Sequence, residues 1–303
     1  MLKLTPQNYH SIEANQAYMS NSQLKNWLTC PARTHAELAG QWDTGPKKAL
    51  LMGSYVDICL LSELELPKWW AENTSNMIEV GMLSKAKSTY GQKNKDMRYA
   101  DSMIERAKSD PLFMKMLSGE SQRIFTAEID GVPFRAMMDS FNLEEKRITD
   151  LKTTKSTTSE SWFTVSTIFD KMQGAENFHR FKGQFFDEWG YFTQLSLYRE
   201  IASKQLGIDM SDWDLMIAAI SKDRPADVNP MLEESRSVHL RILEMSADQN
   251  ALEQELTLLR DRLPQVARWK SGEDIPPCCG KCAFCRAVQP AVIEKVTSVV
   301  WEL

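Results

Sequence analysis

Two short stretches decide the fold: Phe134-Arg-Ala-Met-Met-Asp139 and Ile148-Thr-Asp-Leu-Lys-Thr-Thr154. In each, an acidic residue follows an apolar, strand-like run, and a lysine stands two positions beyond the second acid. Residues i and i+2 of a strand share a face, so we expect Asp150 and Lys152 to point the same way. If the two strands pair, Asp139 joins them. Mg²⁺ prefers oxygen ligands, and a nearby lysine can stabilise charge on a phosphate, so the pattern favours phosphodiester hydrolysis. An isolated Asp-x-Lys is more typical of a solvated strand edge or a surface ion pair, but here both acids follow apolar strand residues, which favours a cleft.

The surrounding pattern is that of a mixed sheet with helices. Alternating apolar residues and the hairpin turn Asp130-Gly131 predict strands over 123–129, 132–141, 147–153, 213–220 and 238–245. Apolar residues recur every three to four positions over 185–206, and again after the capping box Ser246-Ala-Asp-Gln249, which predicts two helices. This order predicts an α/β fold in which a mixed central sheet is flanked by helices.

The first 120 residues are predicted to be helical. Ser22 is the expected N-cap of one helix, and a second runs to about Leu38. Residues 49–64 are apolar on nearly all sides, which indicates a buried helix. Residues 65–120 are polar and lysine-rich with helical spacing, and predict a helical insertion or arm.

Composition excludes several classes of protein. The chain has 303 residues, of which 43% are hydrophobic and 25% charged, as in ordinary globular proteins. No apolar run is long enough for a membrane helix, and the first residues lack a signal-peptide core, so we expect a cytoplasmic protein without a membrane partner. The net charge of −5 shows no global basic field. It does not exclude a nuclease, because an acidic metal site offsets a local basic groove.

The cysteines form a second pattern. Cys279-Gly-Lys-Cys282-Ala-Phe-Cys285 can direct three thiolates at one centre, and without an export signal this spacing indicates metal binding rather than disulfides. Four thiolates complete either a zinc site or an iron–sulfur cluster. The simplest fourth ligand is Cys30, which precedes a proline; the neighbouring Cys278 is the alternative.

The acidic motif resembles a known family. Asp139 with Asp150-Leu-Lys152 resembles the active-site signature of the PD-(D/E)XK nuclease superfamily, and the following Thr153-Thr154 is typical of its RecB-like branch. Tyr191-Phe-Thr-Gln-Leu-Ser-Leu-Tyr198 resembles the helix of that branch with glutamine and tyrosine one turn apart. The segment Tyr18-Met-Ser-Asn-Ser-Gln-Leu-Lys25 with Cys30-Pro31 resembles the opening of phage and prophage exonucleases related to exonuclease VIII.

The resemblance implies a restriction-endonuclease-like core that fills residues 1–303 as a single domain. Its implied catalytic residues are Asp139, Asp150, Lys152, Gln194 and Tyr198, and its implied Mg²⁺ or Mn²⁺ residues, for one or two ions, are Asp57, Asp139, Asp150 and Leu151. One position departs from the family, which usually has Gly-x-x-x-His where this chain has Gly53-Ser-Tyr-Val-Asp57. Glu128 is a weaker candidate for the same ligand position.

The resemblance also implies a cofactor for the cysteines. Related nucleases use one N-terminal and three C-terminal cysteines around a 4Fe–4S cluster, which places Cys30, Cys279, Cys282 and Cys285 around such a cluster, with zinc as the alternative. The C-terminal cysteine clasp, residues 276–290, would then be joined to Cys30.

The implied function is a metal-dependent DNA exonuclease that acts on duplex ends. It would produce single strands for recombination or for a single-strand annealing partner, and it would work as a ring-shaped homo-oligomer. One alternative is a CRISPR-associated or repair-associated nuclease of the same superfamily. The other is a non-catalytic DNA-binding scaffold that retains the fold.

Overall fold

The computed structural model describes residues 2–155, 157, 160–164, 180–222 and 238–289. Seven strands lie in these residues: β1 (Glu120–Ile129), β2 (Val132–Asn142), β3 (Arg147–Thr154), β4 (Glu160–Thr164), β5 (Arg180–Gln184), β6 (Asp214–Ser221) and β7 (Leu240–Glu244). Five of them form a sheet in the order β1–β2–β3–β6–β7, and β4 and β5 form a separate ribbon. The pair β3–β6 is parallel and the other neighbours are antiparallel, so the sheet is mixed.

Helices cover both faces of the sheet. They are α1 (Ile12–Ala17), α2 (Asn21–Thr29), α3 (Pro31–Leu38), α4 (Lys48–Leu61), α5 (Leu66–Glu79), α6 (Lys95–Lys108), α7 (Pro111–Met116), α8 (Phe185–Glu188), α9 (Tyr191–Leu206), α10 (Gln249–Ser271) and α11 (Ala283–Val288). The α/β fold predicted from the sequence, with a mixed central sheet between helices, is confirmed.

Two hydrophobic cores hold the layers together, and strand β6 contributes to both. Leu215, Ile217 and Ala219 pack into a core shared with α2, α9 and α10, whereas Ala218 and Ile220 pack into a core shared with α4, α5 and α6. Successive strand residues point to opposite faces, so a strand buried on both faces must be apolar at nearly every position. The sequence Leu-Met-Ile-Ala-Ala-Ile of β6 meets this requirement.

The helices of the predicted insertion, α5 to α7, pack with α4 on one face of the sheet. Trp69, Met103 and Phe113 are buried in the same core as Leu151 of β3. In the part of the chain that the structure describes, no helix combines the length and the apolar character that a membrane crossing requires.

Several predicted helix boundaries are wrong. Helix α2 begins after Ser20 rather than Ser22, because Ser20 has extended backbone and its hydroxyl accepts the Gln23 N–H. The helix predicted over 185–206 is two helices, α8 and α9, since Gly190 between them has a positive φ of 58°. Similarly, Asp248 rather than Ser246 caps α10. The Ser246 hydroxyl instead accepts the N–H of Leu215 at the start of β6, 3.1 Å away.

Candidate active site

The two motif acids lie where strands β2 and β3 separate. The ladder between them joins Asn142 to Arg147 and ends at Ser140 and Thr149. At the next step the Asp139 carboxylate accepts the N–H of Leu151 at 2.8 Å. A side chain thus satisfies a backbone donor that would otherwise bond to a strand, so both acids stand beside the opening between the strands.

Asp150 is the centre of a buried polar network. Its side chain is nearly inaccessible, and one carboxylate oxygen accepts a 2.6 Å hydrogen bond from the amide of Gln194. The same amide donates to the Tyr198 hydroxyl at 3.0 Å. Gln194 and Tyr198 are four residues apart on α9 and share one helical face. The other oxygen of Asp150 forms an ion pair with Lys152, so four of the predicted catalytic residues are brought together.

The charges of this network alter one another's protonation. Burial, and then the neighbouring Asp150 carboxylate, raise the pKa of Asp139 to about 7. Burial alone would lower the pKa of Lys152, but Asp150 and Asp139 more than offset it, so its pKa is raised. Lys152 is therefore a cation at neutral pH, and Asp139 is close to half-protonated when no other cation is near.

Asp57 lies in the same cleft but belongs to α4, which packs in a different core from α9, the helix of Gln194. It lines the same cleft as Asp139 and Lys152, and burial together with the Asp139 charge raises its pKa well above the usual value. Its helix α4 lies close to β3 because Gly53, one turn earlier, has no side chain: a Cβ there would lie 3.2 Å from the Thr153 hydroxyl. The structure thus places Asp57 beside the other acids, as the Gly-x-x-x-Asp spacing predicts.

Glu128 does not join them. It is exposed and pairs with Pro133, whereas the neighbours of Asp139, Met138 and Ser140, pair with Arg123 and Ser121 on either side of Gln122. Six residues of strand separate these two positions of β1, which corresponds to about 20 Å. Of the two candidates for the third acid, only Asp57 lies in the cleft.

The cleft in front of these residues has a volume of about 1450 Å³. Acidic, cationic and aromatic side chains all line it, and they include Asp57, Glu65, Glu72, Asp139, Glu188, Lys68, Lys152, Lys155, Lys222, Trp189 and Tyr191. Burial lowers the pKa of Lys222, and the charge of Asp57 partly restores it. A cleft that combines carboxylate oxygens with lysines suits a phosphate chain that crosses a metal site.

The donor set fits a hard divalent cation. Asp57, Asp139, Asp150 and the carbonyl of Leu151 offer oxygen atoms only, which Mg²⁺ and Mn²⁺ prefer. Among the described residues, the acids do not form a cage in which three ligand atoms lie within 4.8 Å of one another. Mg²⁺ suits such an open site, because it usually keeps several waters and binds substrate phosphates alongside one or two carboxylates.

The lysines around this site were not predicted from the sequence. Lys222 follows the last residue of β6, and its N–H donates to the Thr154 carbonyl at the end of the parallel strand β3. Lys25 of α2 donates to the Trp189 carbonyl at 2.5 Å, and burial, with the nearby charge of Lys152, lowers its pKa to about 8. The signal that could have indicated Lys222 is a lysine directly after an apolar strand. Parallel strands end at the same edge of a sheet, so a residue that follows β6 lies near the end of β3 and its motif.

The cysteines form a separate cluster. The sulfurs of Cys30, Cys279, Cys282 and Cys285 all lie within 4.8 Å of one another and could hold a metal ion. Cys278 is not in this group, so the structure selects Cys30 as the fourth member.

The chain matches a known family and a solved structure. The model of a family described as a PDDEXK-like domain of unknown function (DUF3799) matches residues 20–288. The chain belongs to this family. A crystal structure from Eubacterium rectale named "Putative exonuclease" is 27% identical and has a TM-score of 0.77, with 98% of this chain and 97% of that chain covered. No curated protein matches the chain.

The segment of this PDDEXK-like domain that matches the family contains both clusters. It includes Asp57, Asp139 and Lys152 in the cleft and the buried Asp150 beside them, and it extends from before Cys30 to beyond Cys285. Together with the similarity to the Eubacterium rectale structure, the family membership supports a nuclease function.

Proposed function

We propose that this PDDEXK-like domain is a metal-dependent exonuclease that hydrolyses phosphodiester bonds from the ends of duplex DNA. The observation that carries the proposal is the meeting of Asp139, Asp150 and Lys152 beside a cleft with lysines around it. The name of the Eubacterium rectale structure supports the same class of reaction. The resemblance to the exonuclease VIII group supports duplex ends as the substrate.

The side chains have separate tasks in this proposal. Lys152, held as a cation by the acids, would orient the attacking water and stabilise the negative charge that develops on the phosphate. Gln194 holds Asp150 in one orientation, and Tyr198 fixes the Gln194 amide. Lys222, at the wall of the cleft, would bind a backbone phosphate as a positioning residue.

Asp57, Asp139, Asp150 and the Leu151 carbonyl would hold Mg²⁺ or Mn²⁺. When bound, the ion supplies Lewis-acid polarisation of the phosphate and lowers the pKa of water. As part of the same proposal, the chain acts as a homo-oligomer and passes single strands to an annealing protein.

The test compares DNA with and without ends. The purified chain is incubated with end-labelled linear duplex and with covalently closed circular duplex, in Mg²⁺, in Mn²⁺ and in EDTA. We expect release of nucleotides from the linear DNA alone, and only with a divalent ion. Asp150→Asn and Lys152→Ala should lower the rate at least about 10²-fold, because each removes charge stabilisation made in the transition state.

Two control variants separate the site from general effects of charge. Glu128→Gln and Lys146→Gln remove one acid and one lysine that lie away from the cleft, and both should keep the full rate. Unchanged activity of the Asp150 and Lys152 variants would overturn the site assignment. Cleavage of the closed circle would overturn the exonuclease assignment. Binding of linear duplex without hydrolysis in either metal would instead support the non-catalytic scaffold.

A further inference from the structure

The cysteine cluster ties the two ends of the described chain together. Cys30 ends α2 and begins α3, while Cys279 and Cys282 lie in the turn before α11 and Cys285 lies in its first turn. The N–H of Ala32 donates to the Pro277 carbonyl at 3.2 Å beside the cluster. On another side, the ring of Trp42 packs edge-on against Phe284 at 5.3 Å.

Backbone donors point at the sulfurs. Cys279 accepts the N–H groups of Lys281 and Cys282, both at 3.4 Å, and Cys282 accepts the N–H of Cys285 at 3.5 Å. N–H groups directed at sulfur stabilise thiolate charge, and thiolates are the form that binds metal. The turn therefore places donors where they can stabilise thiolate charge on Cys279 and Cys282, and all four cysteines are free of disulfides.

The distances between sulfurs distinguish the two candidate cofactors. The sulfur of Cys30 lies 3.4 Å from that of Cys285 and 3.7 Å from that of Cys282, and Cys279 lies 3.8 Å from Cys285. Four sulfurs bound to one zinc at about 2.3 Å occupy the corners of a tetrahedron with an edge of about 3.8 Å. In a 4Fe–4S cluster each cysteine binds a different iron, so the cluster stands between the sulfurs and moves them roughly 6 Å apart.

We infer that the four cysteines bind a single tetrahedral Zn²⁺ ion and not the 4Fe–4S cluster that the family resemblance implies. The three sulfur–sulfur distances of 3.4, 3.7 and 3.8 Å are close to those around one ion. All four sulfurs lie within 4.8 Å of one another, which is too close for a four-iron cube between them. The Cys-x-x-Cys-x-x-Cys spacing also occurs around 4Fe–4S clusters, so the distances between the sulfurs carry the choice.

This ion would have a structural role. Four protein ligands close the coordination sphere, so water and substrate have no open position, as in structural zinc sites. Zinc has no redox chemistry, so the clasp would not respond to oxidation state as a cluster does. It would instead join α2 and α3 to the C-terminal segment at a distance from the nuclease cleft.

Metal analysis of the full-length chain tests the inference. The protein is purified under anaerobic conditions from cells supplied with both iron and zinc, and is analysed for metals, for acid-labile sulfide and for visible absorption. We expect about one zinc per chain, no sulfide and no visible colour. Four irons with sulfide and a brown colour would overturn the inference, and one iron without sulfide would overturn the choice of zinc.

Two further measurements guard against variants that fail to fold. X-ray absorption at the zinc edge of the unmodified protein should show four sulfurs at about 2.3 Å; nitrogen or oxygen ligands in place of one or more sulfurs would overturn the four-cysteine assignment. Among variants, Cys282→Ser should lose the zinc while the matched Cys278→Ser keeps it, because Cys278 lies outside the cluster. Zinc loss from the Cys278 variant would contradict the ligand set.

Discussion

At the scale of a single residue, Asp57 stands where the nucleases that this chain resembles usually have histidine. If Asp57 supplies one oxygen to the metal, Asp57→Ala should lower nuclease activity about 10²-fold, since loss of even a supporting group around a metal costs 10- to 100-fold. Asp57→His, which restores the family's usual residue, should keep more of the rate than alanine does. Both are measured as nucleotide release in saturating Mn²⁺. Glu72→Gln, which changes another acid of the cleft, is the control and should be nearly silent.

Full activity of Asp57→Ala would show that Asp139 and Asp150 hold the ion without it. Equal loss in the alanine and histidine variants would mean that the position needs a carboxylate. Either result can be read only if thermal melting shows that the variant is folded.

Asp139 predicts a pH dependence of stability in the metal-free protein. Its pKa is about 7 in the folded chain and about 3.9 in an unfolded one, so between these values the folded state binds the extra proton. The stability that this proton confers is present below about pH 4 and is lost as the pH rises through about 7. Asp139→Asn does not titrate and can still accept the Leu151 N–H.

In EDTA, the melting temperature of Asp139→Asn should therefore rise relative to the natural chain between about pH 5 and pH 8. The corresponding gain in the free energy of unfolding is on the order of 1 kcal/mol or more, because one unit of pKa difference corresponds to about 1.4 kcal/mol. The control is Asp130→Asn in the exposed turn between β1 and β2, where Asp130 has a φ of 48° that asparagine tolerates. A difference that stays constant with pH at position 139 would contradict the raised pKa.

At the scale of elements, the close approach of α4 to β3 depends on Gly53. Alanine is a better helix former by about 1 kcal/mol, but its Cβ would lie 3.2 Å from the Thr153 hydroxyl. In the natural chain, this contact should cancel part of the gain from Gly53→Ala. We expect Gly53→Ala to add the full helix propensity of about 1 kcal/mol only in a chain that also carries Thr153→Ala. The test is a double-mutant cycle in which the free energy of unfolding of each variant is measured in urea. We expect a coupling energy between positions 53 and 153 of about 0.5 kcal/mol or more.

The position of Asp57 gives this cycle a second readout. If the alanine methyl pushes α4 away from β3, Gly53→Ala should also lower nuclease activity, and Thr153→Ala should restore part of it. Additive free energies together with unchanged activity would show that the helix does not need the glycine at this point.

The strands of the five-stranded sheet were predictable from the sequence, whereas the ribbon of β4 and β5 and the helix caps were not. Alternation over 132–141 and 147–153 reflects burial on sheet faces, and the observed strands differ from those ranges by one residue. Ser20 and Ser22 are chemically equal as caps. Which of them caps α2 depends on the β-bridge that Met19 makes to Phe134, a contact far away in sequence.

At the scale of the whole molecule, the candidate site was predictable only in part. Asp139, Asp150 and Lys152 lie on strands that are close in sequence, so the motif alone predicts that they meet. Asp57 and Gln194 come from elements on either side, and only the family resemblance indicated them. Lys222 was missed, because its place at the cleft depends on the parallel pairing of β3 with β6, which local patterns do not encode.

The net charge of −5 and the lysines that line the cleft make different predictions for DNA binding. Each phosphate that a lysine neutralises adds about 0.9 to the slope of log affinity against log salt, so the slope counts local contacts rather than net charge. Lys222→Gln should weaken binding of end-labelled duplex in EDTA and reduce the slope by about 1. Lys146→Gln makes the same change in net charge about 26 Å away at the other end of β3, where Lys146 pairs with Asp212, and should leave the slope unchanged. Equal slopes for both variants would place the DNA outside the cleft, and the hydrolytic role of Asp150 and Lys152 would then lack a substrate path.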